Sequence, residues 1–294
     1  VELRDIEIFL TLAEELHFGR TAERLRVSPA RITQAIKKQE RQIGAPLFER
    51  TNRAVRLTAL GRQLRDDLWP VYTGLQDGMH RAKLAAQGKT GQLRIGMVNA
   101  NHEDLRPLFD TFQSRHPDCD IHLRYVSFSD PFGLLRAGAV DVQIVWLPVE
   151  EPDLTVGPTV YIEPVVLAVG TKHRLAGRPS ISYEDLADEV VMSGAKPDYW
   201  REALVPRHTP SGRPIPIGPA VTSSAEMLPL LSNGEAVSPA HAHAARYFAR
   251  PDIAYVPIRD APSARWALIW RTATESHLIR AFARVAADIG ALSA

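Results

Sequence analysis

The residues best suited to chemistry lie between positions 28 and 41. Ser28-Pro29 is a helix-start signal, with Ser as N-cap and Pro where its missing N–H costs nothing. On a helical wheel Ile32, Ile36 and Ile43 fall on one side. Ala30, Thr33, Gln34, Lys37 and Arg41 fall on the other, with Arg31 and Lys38 at its edge. Amides, hydroxyls and guanidinium groups near a helix start are the groups that read base edges in a DNA major groove. Gln34 suits adenine, Thr33 a base or a phosphate, and Ala30 or Pro29 a thymine methyl. Lys37, Lys38 and Arg41 suit phosphates, which position a helix without specifying sequence. Beyond them, residues 46–58 read as a small hairpin around Thr51-Asn52, and its Arg50, Arg53 and Arg56 suit a phosphate or a narrow minor groove.

A second set of residues suits a small ligand rather than a polyanion. After residue 91 the chain alternates short apolar strands with helices, the texture of open α/β sheets. Ligands of such sheets sit beyond the carboxyl ends of strands, at helix N-termini. The loops there are Asn99-Ala100-Asn101-His102, Ser127-Phe128-Ser129, Met192-Ser193-Gly194 and Thr222-Ser223-Ser224. All are small and polar, which predicts a polar metabolite or carboxylate. At each loop, capping of the next helix competes with ligand binding. Trp146, Phe128 and Trp200 are candidate aromatic walls. Enzymatic readings find no support: there is no GxSxG elbow, phosphate-binding GxxxxGK[ST], HExxH or dinucleotide-binding glycine run. His241 and His243, two apart, would face apart on a helix, so no metal site or cofactor is expected. Nothing near Cys119 would activate it as a nucleophile.

The elements that must position these groups follow from periodicity. Helices are predicted over 4–16, 21–25 and 29–42, packing Phe9, Leu10, Leu25 and Ile36. Apolar positions at 57, 60, 64, 68, 71, 75, 79 and 82 alternate steps of three and four, as in a helix packing along a seam. Pro70 predicts a bend in that helix, and Gly88–Gly91 a hinge after it. Strands are predicted near 93–98, 121–126, 140–147 and 164–169, the last after a crossing segment. Further strands are expected at 189–192, 219–222, 236–238, 253–258 and 266–271, with a closing helix over 274–290.

These residues together amount to a family resemblance. Leu3-Arg4, Phe9-Leu10, His17-Phe18-Gly19-Arg20-Thr21-Ala22, Val27-Ser28-Pro29, Ile43-Gly44, Pro46-Leu47-Phe48-Glu49-Arg50 and Leu57-Thr58-Ala59-Leu60-Gly61 resemble the winged helix-turn-helix of LysR-type transcriptional regulators. The sequence departs from that pattern at Thr21, Pro29 and Gln39, and Gln39 is expected to loosen the third helix. The body matches more loosely, through Leu93-Arg94-Ile95-Gly96, Leu135-Arg136-Ala137-Gly138 and a degraded glycine segment at 231–239. The resemblance implies a multidomain chain: a winged helix-turn-helix over 1–57, a linker (dimerisation) helix and hinge over 58–90, and a two-lobed α/β effector domain like periplasmic binding proteins. Its first lobe would be 91–161 with 266–294, its second 162–265. The implied DNA contacts are Arg20, Ser28, Pro29, Ala30, Arg31, Thr33, Gln34, Lys37, Lys38, Arg50 and Arg53. The implied partners are double-stranded DNA bearing an inverted repeat, a small effector, and further copies of the chain, as a dimer through the linker helix and a homotetramer. RNA polymerase is a further candidate partner.

Composition agrees with this division. At 294 residues the chain is long enough for two or more cores. Its net charge of +1 hides an asymmetry: residues 1–90 hold 16 basic and 11 acidic side chains, and the remainder 19 and 23. A basic head on an acidic body predicts a polyanion partner for the head alone. One cysteine excludes an internal disulfide and suits a reducing compartment. The first residues carry no signal-peptide core and no apolar run approaches membrane length, so a cytoplasmic protein is expected. Two alternatives remain open: a binding protein or enzyme on the two-lobed scaffold, and a DNA-binding regulator that has lost its effector response.

Overall fold

The computed structural model describes residues 2–50, 55–86, 91–98 and 101–293. The chain divides into two compact units, Val1–Gln87 and Gly88–Ala294.

The first unit contains α1 (Leu3–Glu15), α2 (Phe18–Leu25), α3 (Pro29–Ile43), β1 (Phe48–Arg50), β2 (Val55–Leu57) and α4 (Ala59–Ala86). Local chemistry sets the helix ends. The His17 ring accepts from the Arg20 N–H at the start of α2. The Ser28 hydroxyl accepts from the Arg31 N–H at the start of α3, and Pro29 fills the first position of that helix. Gly44, at φ 84°, ends α3 in the left-handed region that glycine adopts without strain. Ile8, Phe9, Leu12, Ile32, Ile36 and Leu47 form the core of this unit. Strands β1 and β2 pair antiparallel in the register Phe48↔Leu57 and Arg50↔Val55. The predicted Thr51-Asn52 turn lies outside the described residues, as does the hinge at 88–90; Gly91 opens a strand instead. Helix α4 continues through Pro70.

Two expectations for the head are corrected. Ile43 is exposed rather than apolar-packed. Gln39 does not loosen α3: its side chain is buried and its Nε2 donates to the Asp5 carbonyl at 2.9 Å. A buried amide with a partner is tolerated where an unpaired one is not.

The second unit contains β3 (Gly91–Met97), α5 (Arg106–Arg115), β4 (Cys119–Tyr125), α6 (Gly133–Arg136), β5 (Val142–Trp146), β6 (Leu154–Glu163), β7 (Val165–Gly170), β8 (Val191–Ser193) and α7 (Asp198–Glu202). It continues with β9 (Ile217–Ala220), α8 (Ser224–Ser232), β10 (Ser238–His241), α9 (Ala244–Tyr247), β11 (Ile253–Pro257), β12 (Ala264–Arg271), α10 (His277–Ile289) and β13 (Leu292–Ser293). One lobe is built on a six-stranded sheet, in the order β13-β6-β12-β5-β3-β4. The other carries β10-β7-β11 and the pair β8-β9. The stretch read as a crossing segment is the ten-residue strand β6. Irregular pairing with β12, which shifts register at Trp266/Ala267 and Ala267/Ile269, breaks the alternation that marks a strand in sequence. The chain passes between lobes at Pro164, after β6, and again between β11 and β12.

Candidate functional site

The α3 face carries side chains whose solvent access matches a groove reader. Ser28, Pro29, Ala30, Gln34, Lys37 and Arg41 are exposed, while Ile32, Ala35 and Ile36 on the opposite face are fully buried. Thr33 is half-buried and its hydroxyl donates to the Pro29 carbonyl at 3.1 Å. Arg20 is exposed at the start of α2, its guanidinium bonded to the Glu15 carbonyl at 2.6 Å. Arg50 lies on β1. Arg53 lies outside the described residues.

Arg31 and Lys38 are spoken for in a way the wheel does not show. Both reach the same carboxylate, that of the fully buried Asp5 on α1, at 2.8 and 3.0 Å. Burial pushes this carboxyl up, but hydrogen bonds from Lys38 and Arg31 outweigh burial and hold it below the ordinary aspartate value. The clasp ties α3 to α1 and leaves Gln34, Lys37 and Arg41 as its outward polar groups. The sequence signal was available: an acidic residue, Asp5, one turn from Phe9 on an otherwise apolar face.

In the second unit the lobes meet around a cavity of about 120 Å³. Of the expected effector residues, Phe128, Met192 and Ser193 line it. Asn99 and Ala100 lie outside the described residues. Asn101 is buried at the start of a short 3-10 turn, and His102 is exposed there, 3.4 Å from Glu103. Ser127 and Ser129 bond to each other at 2.7 Å, and the Ser127 hydroxyl reaches the Thr222 carbonyl at 3.4 Å across the lobes. Ser223 caps α8 by accepting from the Glu226 N–H, and Thr222 donates to the Glu226 carboxylate. Gly194 serves the backbone: at φ +136°, a Cβ there would sit 1.8 Å from the Val221 carbonyl oxygen.

Other bonds also cross between the lobes. Arg246 pairs with Asp104 at 2.9 Å, the Lys196 N–H donates to the Phe128 carbonyl at 3.1 Å, and the Tyr199 hydroxyl donates to Glu151 at 2.8 Å. Trp146 of β5 and Trp200 of α7 stack at 3.5 Å and exchange indole hydrogen bonds with each other's carbonyls. Trp146 lines the cavity; Trp200, fully buried, backs it.

Sequence reading missed Arg201, His241 and His243 as cavity walls. The two histidines are not on a helix: His241 ends β10, and the rings stack 5.9 Å apart. Glu163, buried, takes the His243 N–H at 2.8 Å and the Trp266 indole at 2.7 Å, and lies 2.7 Å from His243 Nδ1. Burial, helped by the neighbouring His243, pushes the His241 pKa well below its usual value, so that ring is neutral. Among the described residues no group of three histidine, cysteine or acidic side chains is arranged to hold a metal ion.

Comparison with known proteins covers both units. Residues 3–62 match the model of bacterial regulatory helix-turn-helix proteins of the lysR family, and residues 86–290 match the LysR substrate binding domain. The chain is 35% identical over 197 residues to the HTH-type transcriptional regulator AlsR of Bacillus subtilis, covering 67% of this chain and 65% of that protein. It is 37% identical over 151 residues to the HTH-type transcriptional activator IlvY of Salmonella typhimurium, covering half of each. The chain therefore spans between half and two thirds of the length of these relatives. In fold it is similar to the crystal structure of CbnR, a LysR family transcriptional regulator, with a TM-score of 0.58 at 22% identity over 98% of this chain and 99% of that one.

Proposed function

From the premise that this chain belongs to the LysR family, we propose that it is a sequence-specific DNA-binding transcriptional regulator whose body takes a small effector between its lobes. The observation that carries the reading is the α3 surface, where Ala30, Gln34, Lys37 and Arg41 are exposed over a closed apolar core. A helix of this composition fits a major groove, with Gln34 addressing a base edge and Lys37 and Arg41 the phosphates. Arg20, Ser28, Pro29, Arg31, Thr33, Lys38, Arg50 and Arg53 complete the proposed DNA set. Similarity to full-length CbnR in complex with its target DNA is in keeping with this reading.

Self-association through α4 belongs to the same proposal. Val71, Leu75 and Met79 recur every four residues and are exposed at 68%, 47% and 68%. A two-fold dimer along that seam would present two α3 helices to an inverted repeat, and two dimers a homotetramer. The effector is a small polar or carboxylate metabolite seated in the cavity that Phe128, Trp146, Met192 and Ser193 line. It acts through its different affinity for two arrangements of the lobes. The domain limits 1–57, 58–90, 91–161 with 266–294, and 162–265 go with this reading, as do a cytoplasmic location and RNA polymerase as a partner. Among the described residues no helix is long and apolar enough to cross a membrane.

The test is a genome-wide selection for DNA fragments bound by the purified chain, followed by fluorescence anisotropy with random DNA as competitor. Recovery of a common inverted-repeat site that resists competitor is the expected result. Equal, weak binding to all fragments would refute it.

A further inference from the structure

We infer that the cavity between the lobes takes a compact monocarboxylate with an apolar body, and that Arg201 selects this class by holding the carboxylate. The inference rests on the reading of the body as an effector-binding domain and names the ligand chemistry of that site.

Arg201 lines the cavity and is only 9% exposed. Its Nε is buried with no hydrogen-bond partner. Its Nη2 lies 3.3 Å from Glu202, but that carboxylate also takes the Arg207 Nε at 2.5 Å. Arg201, Arg207 and Lys196 share two carboxylates, Glu202 and Asp198, which leaves the buried guanidinium under-compensated, and an anion from outside completes it. Among the described residues neither a lysine nor a second arginine lines the cavity, so there is one positive charge to meet. His241, also a wall residue, has a buried Nε2 without a partner, and its ring is neutral, so it offers a hydrogen bond and no second charge.

With Ser193, Ser238 and His243 the polar exceptions, the remaining walls are apolar, among them Phe128, Trp146, Met192, Val221 and Phe248. A dicarboxylate or a sugar would bury polar groups against them without partners. At about 120 Å³ the space falls below the ~150 Å³ of an apolar cavity that holds benzene, which favours a short branched chain over a ring as the apolar body. The polar loops that the sequence singled out are largely spent on helix capping and on contacts across the lobes.

Tryptophan fluorescence of the full chain reads the site, because Trp146 is a wall and Trp200 stacks on it. The probes are isovalerate, its neutral isostere isovaleramide, and succinate, with DNA binding measured on the same sample. The expected result is a saturable change with isovalerate, with the amide and succinate each about tenfold weaker or worse. Arg201→Gln should weaken isovalerate by a similar factor, and Arg201→Lys, which keeps the charge but not the fork, by less. The amide comparison needs no variant, so it stands even if Arg201→Gln misfolds. Amide binding as tight as isovalerate, or undiminished isovalerate binding by folded Arg201→Gln, would overturn the inference. So would no response to isovalerate from protein that still binds a specific DNA site, which leaves the regulator reading intact. A carboxylate response without specific DNA binding would support the inference and refute that reading instead.

Discussion

The head and the body of this chain put their candidate site residues together in opposite ways. In the head, Pro29 through Arg41 lie on one continuous helix capped by Ser28, and the groups that face outward are set by a 100° rotation per residue. In the body, the cavity gathers Val98, Phe128, Trp146, Arg201, Val221 and His241 from segments far apart in sequence. A local site is maintained by the core beneath one helix. A dispersed site is maintained by whatever keeps two lobes in register. The two should therefore fail differently under mutation.

The largest expected effect is in the body. Trp200→Ala removes a fully buried indole that stacks on Trp146 and bonds to its carbonyl. A loss of about 3–5 kcal/mol is expected, seen as a lower melting transition for the body while operator affinity at low temperature is kept. Equal loss of DNA affinity and of body stability would break the contrast drawn here.

Asp5→Asn tests the head in the same spirit, with a smaller effect. It leaves Arg31 and Lys38 without their buried acceptor charge and should cost about 1–3 kcal/mol. The sign with pH follows from the depressed carboxyl of Asp5. Its contribution is present above the ordinary aspartate pKa and is lost as pH falls through the lower folded value. Denaturant melts of parent and variant should therefore differ at neutral pH and converge in acid. A gap independent of pH would show that the clasp does not depend on the ionised carboxylate.

The smallest effect concerns assembly. Met79→Glu places a charge on the exposed apolar seam of α4 and should weaken self-association by about tenfold, roughly 1.4 kcal/mol, measured by sedimentation. Unchanged association would move the interface away from α4.

How much was legible follows the same division. The α3 face was readable because burial there depends on local periodicity: Ile32 and Ile36 are buried and Gln34 and Lys37 exposed, as the wheel predicts. The wheel did not show that Arg31 and Lys38 converge on Asp5, because that contact joins residues 26 and 33 positions apart. Gln39 was misjudged for a related reason: a polar residue at a core position is harmful only without a partner, and its partner is a backbone carbonyl on α1. In the body, Phe128 and Trp146 were found by residue type, whereas Arg201 was missed. Its significance lies in the acceptor it lacks, and no spacing in the sequence reports a missing acceptor. The strand β6 escaped because its irregular pairing with β12 interrupts alternation.

The central claim is that α3 reads sequence through Gln34 and holds the backbone through Lys37. The most direct test compares Gln34→Ala and Lys37→Ala by anisotropy over a salt series, on the selected site and on random DNA. Gln34→Ala should lose about 1–3 kcal/mol on the selected site and little on random DNA, with the salt slope unchanged. Lys37→Ala should weaken both alike and reduce the slope by about one. Equal losses on both DNAs from Gln34→Ala, at an unchanged fold, would contradict the account.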